Sequence, residues 1–102
     1  MEIRRDVYQA IADPTRRQIM NLLFLQSLNV NAIAEKFNIS RPAVSKHVKI
    51  LAECGLINFV VLGRERKCQA SFMKLKEVSV WIDQYKSFWN YKLDALEEMI
   101  KK

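Results

Sequence analysis

The side chains best suited to chemistry in this sequence are basic and hydroxyl groups that cluster between residues 40 and 49. Arg41 and Lys46 can donate hydrogen bonds to the O6 and N7 atoms of guanine, and the Ser45 hydroxyl can donate or accept. Pro42 offers only an apolar contact, such as one to a thymine methyl group. If this segment is helical, the four side chains lie on one face, which is typical of a helix that enters the major groove of DNA. An ordinary solvated helix face is the alternative interpretation.

Three neighbouring residues extend this candidate DNA-binding face. The Ser40 hydroxyl and the first N–H groups of the helix can hold a phosphate group. Lys49 lies further along the helix, which favours a phosphate contact over a base contact. His47 is the one histidine of the sequence and lies at the edge of the apolar face. We interpret it as a hydrogen-bonded structural residue or a phosphate contact, because one histidine cannot build a metal site.

Apolar spacing predicts two short helices before this segment. A first helix over about 3–12 is indicated by apolar residues that recur every four positions, at Ile3, Val7 and Ile11. Asp13 followed by Pro14 is a strong helix start, since the Asp oxygen accepts an unpaired N–H and Pro lacks one. The second helix therefore runs over about 14–24, with an inward face made of Ile19, Leu22 and Leu23. Basic residues gain nothing from the helix dipole at its start, so we expect partners outside the helix for Arg16 and Arg17.

The candidate DNA-binding helix is the second half of a predicted helix-turn-helix over about residues 29–54. Asn29 can cap a third helix, whose apolar positions have the spacing of a buried face: Val30, Ile33, Ala34 and Phe37. A turn at 38–39 interrupts that helix, Ser40 caps the fourth helix, and Gly55 ends it. Two helices joined by so short a turn are typical of this motif, in which the second helix is the recognition helix.

From residue 57 onward the pattern becomes that of an extended hairpin. The segments INFVVL and KCQASF have the composition of strands, and the GRER between them is polar. A hairpin directly after a helix-turn-helix is the wing of a winged helix domain, here over about residues 57–72. Arg64 at its tip is expected in the minor groove, where A·T-rich segments concentrate negative potential, unless it is a solvated turn residue. Arg66 and Lys67 are expected at the phosphate backbone.

A long last helix is predicted over about residues 74–101. Its apolar residues recur at helical spacing: Val78, Trp81, Ile82, Tyr85, Phe88, Trp89, Leu93, Leu96 and Ile100. About 28 residues at 1.5 Å each span ~42 Å, which is more than a domain of this size can cover. Part of the apolar face therefore needs a partner. Its aromatic residues could instead line a ligand pocket, but this spacing is more typical of a core or a dimer interface.

The composition predicts a single, mainly helical domain with a polyanionic partner. A chain of 102 residues can build one core, and two glycines and two prolines allow few tight turns. The formal net charge is +6, to which residues 41–67 contribute six basic and two acidic side chains. No apolar run reaches the ~20 residues of a membrane span, and no signal peptide is evident, so we expect a cytoplasmic protein without membrane insertion. We expect no enzyme, because no nucleophile–base pair, glycine-rich phosphate loop or carboxylate pair stands out.

The two cysteines, Cys54 and Cys68, match no zinc-binding spacing. In an intracellular chain they are expected to be reduced thiols. They could form a redox pair that distorts the recognition helix, but two packed thiols are the interpretation that we favour.

Three segments together resemble the ArsR family of winged helix repressors: ADPTRRQIMNLL at 12–23, NVNAIAEKFNISRPAVSKHVKILAECGLI at 29–57 and GRERKCQASF at 63–72. Within that family the chain is most similar to small autorepressors without metal sites, related to the regulator of a sporulation-delay immunity operon. The resemblance implies an elongated homodimer formed by the first and last helices, whose recognition helices enter successive major grooves. It also implies base contacts for Arg41, Pro42, Ser45 and Lys46. Ser40 and His47 would lie nearby at the DNA backbone.

The sequence departs from the metal-sensing members of that family. Those members carry Cys-Val-Cys at the start of the third helix, where this chain has Asn29, Val30 and Asn31. Other members bind zinc through Asp and His pairs on the last helix, which has no histidine here. We therefore expect neither a metal site nor a cofactor.

The leading hypothesis is a homodimeric transcription repressor, of its own gene if it is an autorepressor. Its operator in double-stranded DNA would be a palindrome with half-sites one helical turn apart. The alternative is a winged helix domain that works through protein contacts, titrated by a membrane-bound or other protein partner that acts as an anti-repressor. That alternative follows from the resemblance to regulators of immunity operons.

Overall fold

The computed structural model describes residues 6–101. Within them the elements follow in the order α1 (Val7–Ala12), α2 (Pro14–Leu25), α3 (Val30–Phe37), α4 (Arg41–Glu53), β1 (Ile57–Leu62), β2 (Glu65–Ala70) and α5 (Leu75–Lys101). This order confirms the predicted winged helix arrangement of four helices, a two-stranded wing and a long final helix. Apart from the start of α1, the boundaries lie within two residues of those predicted.

α1 begins later than the sequence predicted. Asp6 is extended, and its carboxylate accepts the N–H of Gln9 at 2.9 Å, so this residue caps the helix instead of continuing it. The predicted start near Ile3 lies outside the described residues. Val7 and Ala10 of the short helix are buried in the core.

Arg16 and Arg17 connect α2 back to the end of α1. The Arg16 Nε donates to the Ala10 carbonyl at 2.8 Å and its Nη2 donates to the Gln9 carbonyl at 3.0 Å. The Arg17 Nη1 donates to the Ile11 carbonyl at 2.6 Å. The last carbonyls of a helix have no partner inside it, and these two arginines supply one. They therefore do act outside their own helix, as expected, by capping the preceding one.

Residues in the left-handed backbone region end both helices of the helix-turn-helix. Asn38 has φ 51° after α3, and Gly55 has φ 79° after α4. Beyond Gly55 the Leu56 N–H returns to the Leu51 carbonyl at 2.9 Å, as in a Schellman motif. The chain therefore turns sharply after α4, which places the wing beside the recognition helix.

The core lies between α2, α3, α4 and the base of the wing. Its largest fully buried side chains are Ile19, Ile33, Leu51, Leu56, Val44 and Cys68. On α2, Met20 is buried and Leu22 stays partly exposed, where the sequence predicted Leu22 to face inward. The wing strands pair antiparallel from Ile57 with Ala70 to Leu62 with Glu65.

α5 extends well beyond this core. No residue of the helix is buried, and only Leu75 and Val78 near its start pack partly against the core. The radius of gyration is 18.3 Å, whereas a compact domain of this length would have about 13 Å. The Tyr8 hydroxyl donates to the Glu77 carbonyl at 3.1 Å, and its ring lies 5.9 Å edge-on from Trp81, which holds α5 against α1. Within residues 6–101, α5 included, no helix combines the length and the hydropathy needed to cross a membrane.

Candidate nucleic-acid interface

α4 presents its basic face to solvent. The exposed side chains are those that the sequence assigned to DNA: Arg41, Pro42, Ser45, Lys46 and Lys49. The opposite face buries Val44, Val48, Ile50 and Leu51 in the core. Burial of one face holds the helix as a rigid support, and about two side chains per turn project from the other.

Ser40 starts this helix as its N-cap. Its Oγ accepts the Ala43 N–H at 3.3 Å. That bond uses the oxygen of the hydroxyl as acceptor and leaves the hydroxyl hydrogen to donate elsewhere. No acidic residue lies in the first turn of α4, so the positive end of its dipole is not offset there.

The wing places its arginines on the same side of the molecule as α4. A cleft of about 450 Å³ between the two elements is lined by Arg41, Ser45, Arg64, Glu65, Arg66 and residues 29–31. The Arg66 guanidinium lies 3.7 Å from the centre of the Phe59 ring, a cation–π contact that fixes its direction. Arg66 also borders a second cleft, of about 430 Å³, beside Ser45 and Lys49. Basic groups from the recognition helix and the wing thus meet around one concave surface.

A hydrogen bond joins the start of α3 to the tip of the wing beside this cleft. The Asn29 Nδ2 donates to the Glu65 Oε1 at 2.9 Å, while the Asn29 Oδ1 accepts the Ala32 N–H at 2.8 Å. The second oxygen of Glu65 lies 3.8 Å from the Lys67 Nζ. The sequence predicted Asn29 only as a helix cap and assigned Glu65 no role. A contact between residues 36 positions apart leaves no spacing pattern in a single sequence.

His47 points toward α2, away from the exposed face of its own helix. Its Nδ1 is buried, lies 4.0 Å from the Asp13 Oδ2, and has no hydrogen-bond partner among the described residues. The side chain is 23% exposed, which suits a partly buried structural residue, but within the described part of the chain its Nδ1 does not make the hydrogen bond expected of that role; a phosphate contact stays a prediction. The pKa of the Asp13 carboxyl is lowered, chiefly by the hydrogen bond from the Arg16 backbone N–H. Desolvation acts in the opposite direction, and the positive charge of Arg16 lowers the pKa further.

Potential metal-binding groups are not assembled in the part of the chain that is described. Among residues 6–101, no group of three or more His, Cys, Asp or Glu side chains is placed to hold a metal ion. Cys54 and Cys68 are both buried and form no disulfide. Burial raises the pKa of the Cys68 thiol, against the opposing effect of the Arg66 charge, so this thiol is a poor nucleophile.

Comparison with known protein sequences places the chain among transcription regulators. The family model described as "Bacterial regulatory protein, arsR family" matches residues 13–58, from α2 into the wing. The chain is 33% identical over 93 residues to the HTH-type transcriptional regulator Rv2034 of Mycobacterium tuberculosis, which covers 91% of this chain and 84% of that protein. It is 45% identical over 53 residues to the transcriptional repressor SdpR of Bacillus subtilis, which covers 52% of this chain and 59% of that repressor.

Solved structures show the same fold. The ArsR-like transcriptional regulator from Rhodococcus sp. RHA1 matches with a TM-score of 0.76 at 27% identity, over 93% of this chain and 87% of that one. The homodimeric winged helix-turn-helix DNA-binding domain Mb0332 from Mycobacterium bovis matches in fold with a TM-score of 0.64 at 21% identity, over 79% and 75% of the two chains. With the exposed basic face of α4, these likenesses lead to one conclusion. The chain belongs to the ArsR family of bacterial regulatory proteins, and it is a DNA-binding winged helix-turn-helix transcription regulator and not an enzyme.

Proposed function

We propose that this regulator is a repressor that binds a palindromic operator in double-stranded DNA as a homodimer, in the cytoplasm. The observation that carries the proposal is the cleft where Arg41 and Ser45 of α4 meet Arg64 and Arg66 of the wing. Arginines that surround one concave surface from two elements can contact the phosphates and the groove of double-stranded DNA together. The repressor function follows the likeness to SdpR, which is named as a transcriptional repressor.

In this proposal α4 contacts the bases and the wing contacts the backbone and the minor groove. The base contacts come from the exposed residues of the first turns, Arg41, Pro42, Ser45 and Lys46. Phosphate contacts come from Ser40, His47, Lys49 and Arg66. Arg64 at the wing tip enters the minor groove.

The apolar face of α5 supports the homodimer. Side chains of this face remain about half exposed or more in the single chain: Trp81, Ile82, Tyr85, Phe88, Trp89, Leu93, Leu96, Met99 and Ile100. So large an apolar surface on one side of a helix marks an interaction site. A second copy would cover it by pairing the same face with itself about a two-fold axis. The domain from Mycobacterium bovis, which shares this fold, is homodimeric.

We infer that DNA binding by this regulator does not respond to metal ions. Asn29 uses both ends of its side-chain amide in protein contacts, and Asn31 offers a carboxamide where a thiolate would be needed. Operator affinity measured with added zinc and with a chelator should therefore agree within error. A several-fold difference between the two would contradict this inference.

A protein partner that titrates the regulator is the alternative. Such a partner would compete with the second copy for the apolar face of α5, so it would lower operator affinity by separating the dimer. A pull-down from membranes that recovers no protein, together with tight operator binding, would rule out a membrane-bound partner.

Three alanine variants test the assignment of the DNA contacts, on a duplex selected from a random pool and on a random duplex. Arg41→Ala should weaken the binding free energy for the selected duplex by about 1–3 kcal/mol and relax the base preference of the protein, because a base contact is lost. Lys49→Ala should weaken both duplexes alike and reduce the salt slope by about one unit. Lys101→Ala removes the same charge at the end of α5, where the side chain is 68% exposed, and should change neither. Arg41→Ala and Lys49→Ala variants that both behave like Lys101→Ala would refute the proposed interface.

A further inference from the structure

We propose that Asn29 and Glu65 are positioning residues of the DNA interface. Their hydrogen bond holds the tip of the wing against the start of α3, and so sets the position of the wing arginines relative to α4. The inference rests on the proposed function, because it concerns how the two DNA-binding elements are held relative to each other.

The wing is attached to the domain at two levels. At its base, Leu28 and Cys68 exchange backbone hydrogen bonds of 2.7 and 3.2 Å. Glu65 lies three residues further out on β2, which is ~10 Å along a strand. A two-stranded hairpin has little stability of its own, so an attachment at the base alone would leave its outer part free to swing. The bond between Asn29 and Glu65 supplies a second attachment close to the tip.

The direction of the Asn29 amide is set by its two partners. Its Oδ1 accepts the Ala32 N–H as the cap of α3, which turns the Nδ2 outward to the wing. A carboxylate accepts and cannot donate, so the NH2 group is the end of the amide that Glu65 can bind. A hydrogen bond to a charged acceptor is stronger than one between neutral groups.

Glu65 is an acidic residue in a cleft lined by three arginines. A carboxylate at this place opposes the binding of phosphate, and therefore lowers DNA affinity by its charge alone. Its contacts with Asn29 at 2.9 Å and Lys67 at 3.8 Å direct the charge toward protein groups. A positioning role accounts for this side chain, whereas a contact with phosphate does not.

Asn29→Asp isolates this role, because Asp caps a helix as well as Asn does but sets a carboxylate against Glu65. Asn31→Asp is the matched control: it adds the same charge to the same cleft, two residues away. In the double variant Asn29→Asp/Glu65→Gln the local charge returns to that of the original chain, and the Gln amide can donate to the new carboxylate. Thermal melting of each variant would verify that the fold is retained.

Operator affinity should fall about tenfold more in Asn29→Asp than in Asn31→Asp, because a mobile wing is competent to bind for only part of the time. Glu65→Gln should then raise affinity about tenfold more in the Asn29→Asp background than in the Asn31→Asp background. Equal effects in the two backgrounds would mean that charge alone acts, and would overturn the proposal.

Backbone amide relaxation of residues 62–66 in the DNA-free protein gives a readout independent of DNA. The wing tip should become more mobile in Asn29→Asp, remain ordered in Asn31→Asp, and regain order in the double variant. A tip that stays equally ordered in all variants would overturn the positioning role. If the original chain bound no duplex selected from a random pool, the proposed function would fail instead, while the relaxation data would still show whether the bond holds the wing.

Discussion

Replacing Trp89 by alanine tests the proposed dimer at the middle of the apolar face of α5. The residue is 62% exposed in the single chain. A tryptophan presents up to ~250 Å², so ~150 Å² is available for a second copy to cover. At ~25 cal/mol per Å² this corresponds to about 4 kcal/mol for each protomer if it were covered completely. Buried area overestimates affinity, so we expect a net loss of about 2–4 kcal/mol for the dimer.

That loss corresponds to a dimer dissociation constant weaker by about 30- to 1000-fold. Sedimentation equilibrium over a range of protein concentrations measures it directly. Tyr91→Ala is the matched control, since Tyr91 is 71% exposed on the same helix but lies about 200° around it from Trp89. The control should dimerise like the original chain. Operator affinity should fall with the dimer in Trp89→Ala and stay unchanged in Tyr91→Ala.

Two results would refute this reasoning. If Trp89→Ala dimerised as tightly as the original chain while Tyr91→Ala dissociated, the interface would lie on the other side of α5. If the original chain stayed monomeric at micromolar concentration and still bound the operator with full affinity, the apolar face would have another role.

Three further predictions concern the fold that supports the interface. Asp13→Ala should lower the free energy of unfolding in urea by about 1 kcal/mol, because the helix cap is lost, whereas Asn keeps a capping oxygen. Since the folded protein holds the pKa of Asp13 below its ordinary 3.8, the charge stabilises the fold above about pH 4 and this contribution is lost as the pH falls through the folded pKa. Asp13→Asn should therefore be less stable than the original chain at pH 7 and converge with it in acid, measured at one protein concentration; a gap that is constant with pH would contradict this. Gly55→Ala should lower the melting temperature more than Gly63→Ala does. Both glycines have a positive φ, but a Cβ at Gly55 would lie 2.8 Å from the Lys74 Cγ, while one at Gly63 meets nothing within 4 Å. Equal losses in the two variants would show that Lys74 moves aside freely. Cys68 is 1% exposed, and burial raises the pKa of its thiol. Iodoacetamide should therefore label this thiol about 100-fold more slowly in the folded than in the unfolded protein, as followed by mass spectrometry. Fast labelling of the folded protein would count against a packed thiol.

The helices and the wing were predictable because their signals are local. Asp13, Asn29 and Ser40 each cap the helix that the sequence predicted, and each cap is a hydrogen bond within three residues. Gly55 ends α4 with a positive φ, as its residue type suggested. The exposed face of α4 followed from helical periodicity alone.

The errors and omissions arose where a distant part of the chain decides the outcome. Met20 and Leu22 are both apolar residues of α2, and only the position of its neighbours makes the first buried and the second partly exposed. The role of Arg16 depends on where the end of α1 lies relative to α2. Its partners are backbone carbonyls, which any residue type provides. Such contacts carry no sequence signal.

The sequence by itself determined the order of elements, the family and the basic face of the recognition helix, because caps, periodicity and charge act over a few residues. Tertiary structure alone decided that Glu65 of the wing meets Asn29 of α3, that His47 turns toward Asp13, and that the arginines of α4 and the wing share one cleft. These contacts depend on how the elements pack around the core. A side chain on one element has no local interaction that specifies which distant group it will meet.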